Sequence, residues 1–240
     1  MNAGDGIQLS VPARFCGPPG YANGGYLCGL IGSAVGRTVT VRLNRPVPLE
    51  TVLDLMPVGD EAWQLQHQGQ GLAAVRTAAL TLDVPPAPGY VRALDASLHY
   101  VGFQQHPYPR CFVCGPDRAR SDGLRLFAGR EPGAGIAAAA WLPDASLEGE
   151  PGKVAPEFMS AALDCPGFFA LADVRPGARL LGEFTAHVDR CVHVDEPCVV
   201  IGWPIAREGR KCTVGTAVFD EDGELCGYAR GLWIEPRIES

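Results

Sequence analysis

The sequence predicts an α+β fold made of two tandem copies of one unit, each a helix of glycine and small residues followed by an antiparallel sheet. Three observations predict it. A helix-like stretch near the N-terminus precedes four β-rich runs. The same order of elements returns in the second half. The halves also match in detail, since Val41-Arg42-Leu43-Asn44-Arg45-Pro46-Val47 parallels Ala186-His187-Val188-Asp189-Arg190-Cys191-Val192. Each copy runs from an apolar strand through an amide or carboxylate, an Arg and one further residue to a Val.

The first helix is read over Asn23–Gly36. Its large apolar residues, Tyr26, Leu27, Leu30, Ile31 and Val35, fall at helical spacing. Glycine costs about 1 kcal/mol per helical position, so the glycines between them point to a close packing contact. Four strands are expected next, at Thr38–Asn44, Thr51–Pro57, Ala62–Gln68 and Leu72–Leu82, with near-alternating Val, Leu and Thr between short polar turns. In the second half, Gly123–Ala128 and Ile136–Trp141 read as a strand pair and Pro156–Ala172 as one helix. Strands follow at Arg179–Val188, Cys198–Pro204, Lys211–Asp220 and Leu225–Ile234. Asp220-Glu221-Asp222-Gly223 is a hairpin turn ending in Gly. Residues 1–84 and 111–240 are taken as the two units. Residues 85–110, with Pro85, Pro86, Pro88, Pro107 and Pro109, are taken as a Pro-rich connector.

Composition bounds the function. The chain has 240 residues, 47% of them apolar and 20% charged, as in soluble globular proteins. Its net charge is −7 and its only lysines are Lys153 and Lys211, which argues against nucleic acid and anionic membranes as partners. Met1–Ser10 has no basic or apolar run of the secretory type. Nine cysteines, an odd number with one Cys-x-x-Cys (Cys111, Cys114), fit reduced thiols and a cytoplasmic location. That pair is half a zinc site by spacing, but no second pair completes it, so no metal and no cofactor are expected. Gly17-Pro18-Pro19-Gly20 lacks the Gly-Lys-Ser/Thr of a nucleotide loop.

Several segments carry a family resemblance. Asn23-Gly24-Gly25-Tyr26 resembles the start of the central helix in hotdog-fold acyl-CoA thioesterases. Cys111-Phe112-Val113-Cys114-Gly115-Pro116-Asp117, followed by Asp122-Gly123-Leu124-Arg125-Leu126, resembles the segment before that fold's first strands. Trp141-Leu142-Pro143 and Gly152 are similar to the stretch leading into the helix, and Ala161-Ala162-Leu163-Asp164 to the turn that carries its acidic residue. The resemblance implies two tandem hotdog units, each a long central helix wrapped by a curved antiparallel sheet, pairing as an intramolecular pseudo-dimer. It implies acyl thioester substrates, on coenzyme A or a carrier protein. It also implies sites shared between paired units, one giving helix N-terminal N–H groups and the other a carboxylate.

Residue chemistry gives those roles to Asn23, Gly24, Gly25 and Asp164. The N-terminus of a helix offers free N–H donors and a partial positive charge to an oxyanion. Asn23 can cap that helix and donate from its amide. An ordinary Asn cap with packing glycines reads equally from the same residues. Asp164, a carboxylate within an apolar helix, can activate water or attack the thioester carbon. Its structural alternative is a bond to the Cys165-Pro166-Gly167 turn as the helix ends. Asp164 aligns with Gly32 of the first helix, and Asn23-Gly24-Gly25 aligns with Ala155-Pro156-Glu157. Each half thus keeps what the other lacks, which predicts one complete site and one dead pseudo-site. Glu157 reads as a helix-dipole partner, and His187 and His193 as structural. Cys28 and Cys165 read as core thiols, while Phe158, Phe168, Phe169 and Trp141 suit pocket or core alike. The expected function is acyl thioester hydrolysis by a monomeric pseudo-dimer or homodimer. The alternative is an acyl- or polyketide-binding protein, or a dehydratase or cyclase; a dehydratase needs a His that neither helix start supplies.

Overall fold

A computed structural model describes residues 6–171 and 179–236. Its strands are β1 (Ile7–Leu9), β2 (Val39–Leu43), β3 (Leu53–Gly59), β4 (Ala62–His67), β5 (Gln70–Thr77), β6 (Gly129–Arg130), β7 (Ala137–Trp141), β8 (Leu180–Val188), β9 (Cys198–Glu208), β10 (Lys211–Phe219) and β11 (Leu225–Ile234). They form one sheet in the order β1-β3-β4-β5-β2-β8-β11-β10-β9-β7-β6. Read outward from the β2–β8 junction, the two sides repeat. β5, β4, β3 and β1 lie on one side, and β11, β10, β9 and β7 on the other. Every pairing in the sheet is antiparallel, including β2 with β8, where Thr40 faces Thr185. Their buried hydroxyls bond each other at 2.7 Å.

The duplication extends to single hydrogen bonds. Asn44 and Arg45 both donate to the Leu72 carbonyl, as Asp189 and Arg190 both donate to that of Cys226. Ala22 N–H bonds Val47 O as Val154 N–H bonds Val192 O, and Asn23 bonds Phe15 as Ala155 bonds Leu147. The 3-10 turns Ala13–Phe15 and Ala145–Leu147 correspond. So do the left-handed glycines Gly20 (φ 81°) and Gly152 (φ 77°). Turns repeated this closely fix the same path for the chain as it enters the helical segment of each half.

Helix α1 (Gly24–Val35) is capped at both ends. The Asn23 side chain accepts from Tyr26 N–H at 2.9 Å. Gly36, left-handed at φ 66°, closes the C-terminus together with the bond from Arg37 N–H to Gly32 O. Its counterpart is not one helix over Pro156–Ala172. It is two: α3 (Pro156–Ala162) and α4 (Cys165–Ala170). Pro166 explains the break. It has no N–H for the Ala162 carbonyl, and its ring clashes with a continuing turn. Thr216 Oγ1 satisfies the freed Leu163 carbonyl at 2.6 Å. The expected helix end at Ala172 lies outside the described residues.

Two further elements differ from expectation. Gly123–Ala128 is not a strand. Leu124 and Leu126 donate to Phe112 and Val113 instead of to a neighbouring strand, and Arg125 adopts φ 55°. Only β6 pairs with β7 there. Within residues 85–110, Tyr90–Leu98 forms helix α2, whose buried Ala93 and Ala96 pack under the far end of the sheet. The main core lies between the sheet and α1, α3 and α4. At its centre the structurally equivalent Tyr26 and Phe158 face each other, ring centroids 5.7 Å apart, with Phe15 and Phe112 beside them. Burial of each such ring is worth about 1.5–3 kcal/mol.

Candidate functional site

Helices α1 and α3 cross at glycines. A Cβ on Gly25 would lie 2.5 Å from Asp164 Cβ and 2.9 Å from the Ser160 carbonyl. A Cβ on Gly29 would lie 2.7 Å from Glu157 Cα. The i, i+4 glycines therefore let the second helix pair rest directly on the backbone of the first. Ser160 Oγ donates to Gly25 O at 2.8 Å and fixes the contact.

This crossing brings the predicted residues together. Asp164 Oδ2 accepts from Asn23 Nδ2 at 2.9 Å and from Gly25 N–H at 3.0 Å. Its other oxygen, Oδ1, is buried and has no hydrogen-bond partner among the described residues. Asn23 and Asp164 are each only 3% exposed. Asp164 makes no cap bond to the Cys165-Pro166-Gly167 turn; it reaches across to α1. Burial pushes its carboxyl up to about 7, against the opposing pull of the Gly25 N–H, with the Cys111 sulfur adding to the rise and the Asn23 amide opposing it. The Gly25 N–H is thus committed to the carboxylate. The Gly24 N–H, first in the helix, has no partner among the described residues, and Gly24 lines a cavity.

That cavity has a volume of about 350 Å³ and mostly apolar walls, including Leu27, Leu181, Phe168, Phe169 and Trp233. Asn23, Gly24 and Asp164 line it, as do Arg45, Arg179 and Arg210; the buried Arg179 is paired with Glu235 at 2.8 Å. Phe158 and Trp141 are core residues. At the pseudo-equivalent position, Pro156 stands where Gly24 stands and has no N–H to give, and Gly32 stands where Asp164 stands. His187 bonds Thr38 and Asp189, and His193 bonds Gly152 O, so neither enters the site.

Two cavity residues have surroundings that the sequence reading did not foresee. His106 lies in the wall, with Nδ1 accepting from Tyr108 N–H at 2.9 Å. Cys165, read as a core thiol, meets both Cys111 and Cys114. Asn23 Nδ2 also lies 3.9 Å from Cys111 Sγ.

No family model matches the chain, and no curated protein matches it at a significant level. Solved structures match over its full length. The tesB protein of Mycobacterium avium subs paratuberculosis superposes with a TM-score of 0.60 over 97% of this chain and 93% of its own, at 13% identity. A provisionally named thioesterase II of Thermobifida fusca gives 0.59 over the same shares, 97% and 93%, at 15% identity. The chain is a double hotdog. A provisionally named oleoyl thioesterase of Lactobacillus plantarum shares this double-hotdog arrangement, with a TM-score of 0.56 over 98% of this chain and 97% of its own at 9% identity. At these identities the likeness concerns the fold. No helix among the described residues of the double hotdog is long and apolar enough to cross a membrane.

Proposed function

We propose that this double hotdog hydrolyses an acyl thioester at one composite site between its two units, residues 1–84 and 111–240. The observation that carries the reading is the convergence of Asp164 with the α1 N-terminus in the wall of an apolar cavity. The acyl chain lies in the cavity, and the thioester carbonyl oxygen accepts the Gly24 N–H, with the positive end of α1 behind it. Asn23 and Gly25 hold Oδ2, which leaves Oδ1 to take a proton from water as the water oxygen attacks the carbonyl carbon. The tetrahedral intermediate then collapses, the C–S bond breaks, and the proton on Asp164 passes to the departing thiolate. Direct attack by Oδ1, giving a mixed anhydride that water hydrolyses, uses the same geometry. Arg45 and Arg210, both exposed and in the cavity wall, suit a phosphorylated carrier, coenzyme A or the prosthetic arm of a carrier protein. The setting we infer is a reducing cytoplasm, in keeping with nine free thiols.

The test is release of free thiol from a panel of acyl-CoAs of graded chain length. Asp164→Asn keeps the shape and the Oδ2 bonds. Turnover should fall at least about a hundredfold with the fold intact. Unchanged turnover in this variant would sink the assignment, and ligand binding without turnover in the wild type would favour an acyl-binding protein. His106 supports a second reading, in which a histidine shares the cavity with the acid as dehydration requires. Offering a 3-hydroxyacyl-CoA and following loss of water separates the two.

A further inference from the structure

Beneath the candidate site, three sulfurs from two parts of the chain meet. Cys111 and Cys114 come from one tight loop, and Cys165 is the first residue of α4. All three Sγ atoms lie within 4.8 Å of one another, with Cys111 and Cys165 at 3.8 Å, and all three side chains are buried. The helix break at Leu163–Asp164 produces this meeting: it turns Asp164 toward α1 and Cys165 toward the loop. We propose that Cys111, Cys114 and Cys165 form a binding site for a soft divalent cation, zinc being the best fit. The proposal stands apart from thioester hydrolysis.

Three features carry it. Zinc–sulfur bonds of about 2.3 Å at tetrahedral angles place sulfurs about 3.8 Å apart, so this cluster needs only a small contraction. The loop is Cys-x-x-Cys-Gly, and its Gly is required. A Cβ on Gly115 would lie 2.5 Å from Pro109 O and 2.6 Å from Cys111 N, and Gly115 N–H closes the turn onto Cys111 O at 2.9 Å. Finally, all three cysteines also line the cavity, which leaves room for a fourth ligand from that side. His106 does not supply that position: Tyr108 N–H donates to its Nδ1, so in the neutral ring Nε2 carries the proton and has no lone pair. Each sulfur coordinates as thiolate, and any proton it held leaves to solvent.

The experiment uses the full chain, reduced and stripped with a chelator, then titrated with Co²⁺ and with Zn²⁺ against a chromophoric competitor. One Co²⁺ per chain should bind, with a sulfur-to-cobalt charge-transfer band of three-thiolate intensity that Zn²⁺ abolishes. Cys114→Ser and Cys165→Ser should each weaken zinc binding by about a hundredfold, and Cys191→Ser, whose thiol lies elsewhere, should not. Since a serine here can also disturb folding, the zinc absorption edge of the wild-type protein supplies an independent count, expected to give three sulfurs at about 2.3 Å. The site is refuted by no zinc uptake at stoichiometric concentration, by a cobalt band that survives Cys165→Ser, by an edge dominated by nitrogen and oxygen, or by a disulfide among the three in protein purified without reductant. Absence of thioesterase activity leaves the proposal untouched.

Discussion

Adding one methyl group at two positions of α1 should produce opposite results. Gly25→Ala places a Cβ 2.5 Å from Asp164 Cβ, 2.9 Å from Ser160 O and 3.2 Å from Ala161 Cα. All three belong to the facing segment, and none is the end of a flexible side chain, so the two helices must separate. Overpacking of this kind costs about 1–3 kcal/mol, offset by about 1 kcal/mol of helix propensity. Two contacts below 3.0 Å put the cost in the upper part of that range, about 2–3 kcal/mol, so the net loss is about 1–2 kcal/mol, or about 2–8 °C in Tm for a chain of this size. Gly32→Ala meets only Arg37 O at 3.4 Å and Val39 Cγ2 at 3.8 Å. It keeps the propensity gain, about 1 kcal/mol or 2–4 °C upward. Thermal unfolding followed by circular dichroism measures both. Activity adds a second readout, since moving the carboxylate by about 1 Å can cost about a hundredfold, in Gly25→Ala alone. Equal Tm shifts in the same direction, or full activity in Gly25→Ala, would refute the idea that this crossing builds the site.

In metal-free, reduced protein, turnover should rise with pH, reach half its maximum near pH 7 and level off above about 8, because burial pushes Asp164 up to about 7; a pH–rate profile flat from 5 to 8 would contradict an Asp164 base. The same shift fixes the sign for stability. A carboxyl that keeps its proton longer in the folded chain makes stability fall between about pH 4 and pH 7, and chemical denaturation of Asp164→Asn should lack that decline. Thr216→Val leaves the Leu163 carbonyl without its 2.6 Å partner, and should cost about 1–3 kcal/mol in urea unfolding. Arg45→Ala should raise KM for an acyl-CoA several-fold with kcat unchanged, the mark of binding lost equally in ground and transition states. Glu157→Gln alters the pseudo-site and should leave turnover unaltered.

The duplicated order was legible because both copies spell the same turns. Val47 and Val192 bond equivalent residues ahead of the helices, and Gly20 and Gly152 turn the chain alike. The pairing of Asn23 with Asp164 was legible as two complementary losses, although the Gly25–Asp164 hydrogen bond was not. It depends on two helices crossing, for which the only linear sign is glycine at 25 and 29. The helix break was visible in Pro166, but Phe168 and Phe169 continue the apolar spacing and disguise it as one helix. Gly123–Ala128 has a strand's composition, yet its N–H groups go to the Cys111–Gly115 loop, a long-range choice that periodicity does not encode. Cys165 was hidden for the same reason: ligand spacing reveals pairs in one loop, and this third thiol arrives from a helix far along the chain.

The most direct test of the composite site is a structure with a non-hydrolysable acyl-CoA in which a methylene replaces the thioester sulfur. The carbonyl oxygen should sit within hydrogen-bonding distance of Gly24 N–H, with Asp164 Oδ1 no more than one bridging water from the carbonyl carbon. A ligand whose carbonyl lies away from the α1 N-terminus, or a carbonyl bound there with Asp164 beyond one water, would contradict the account.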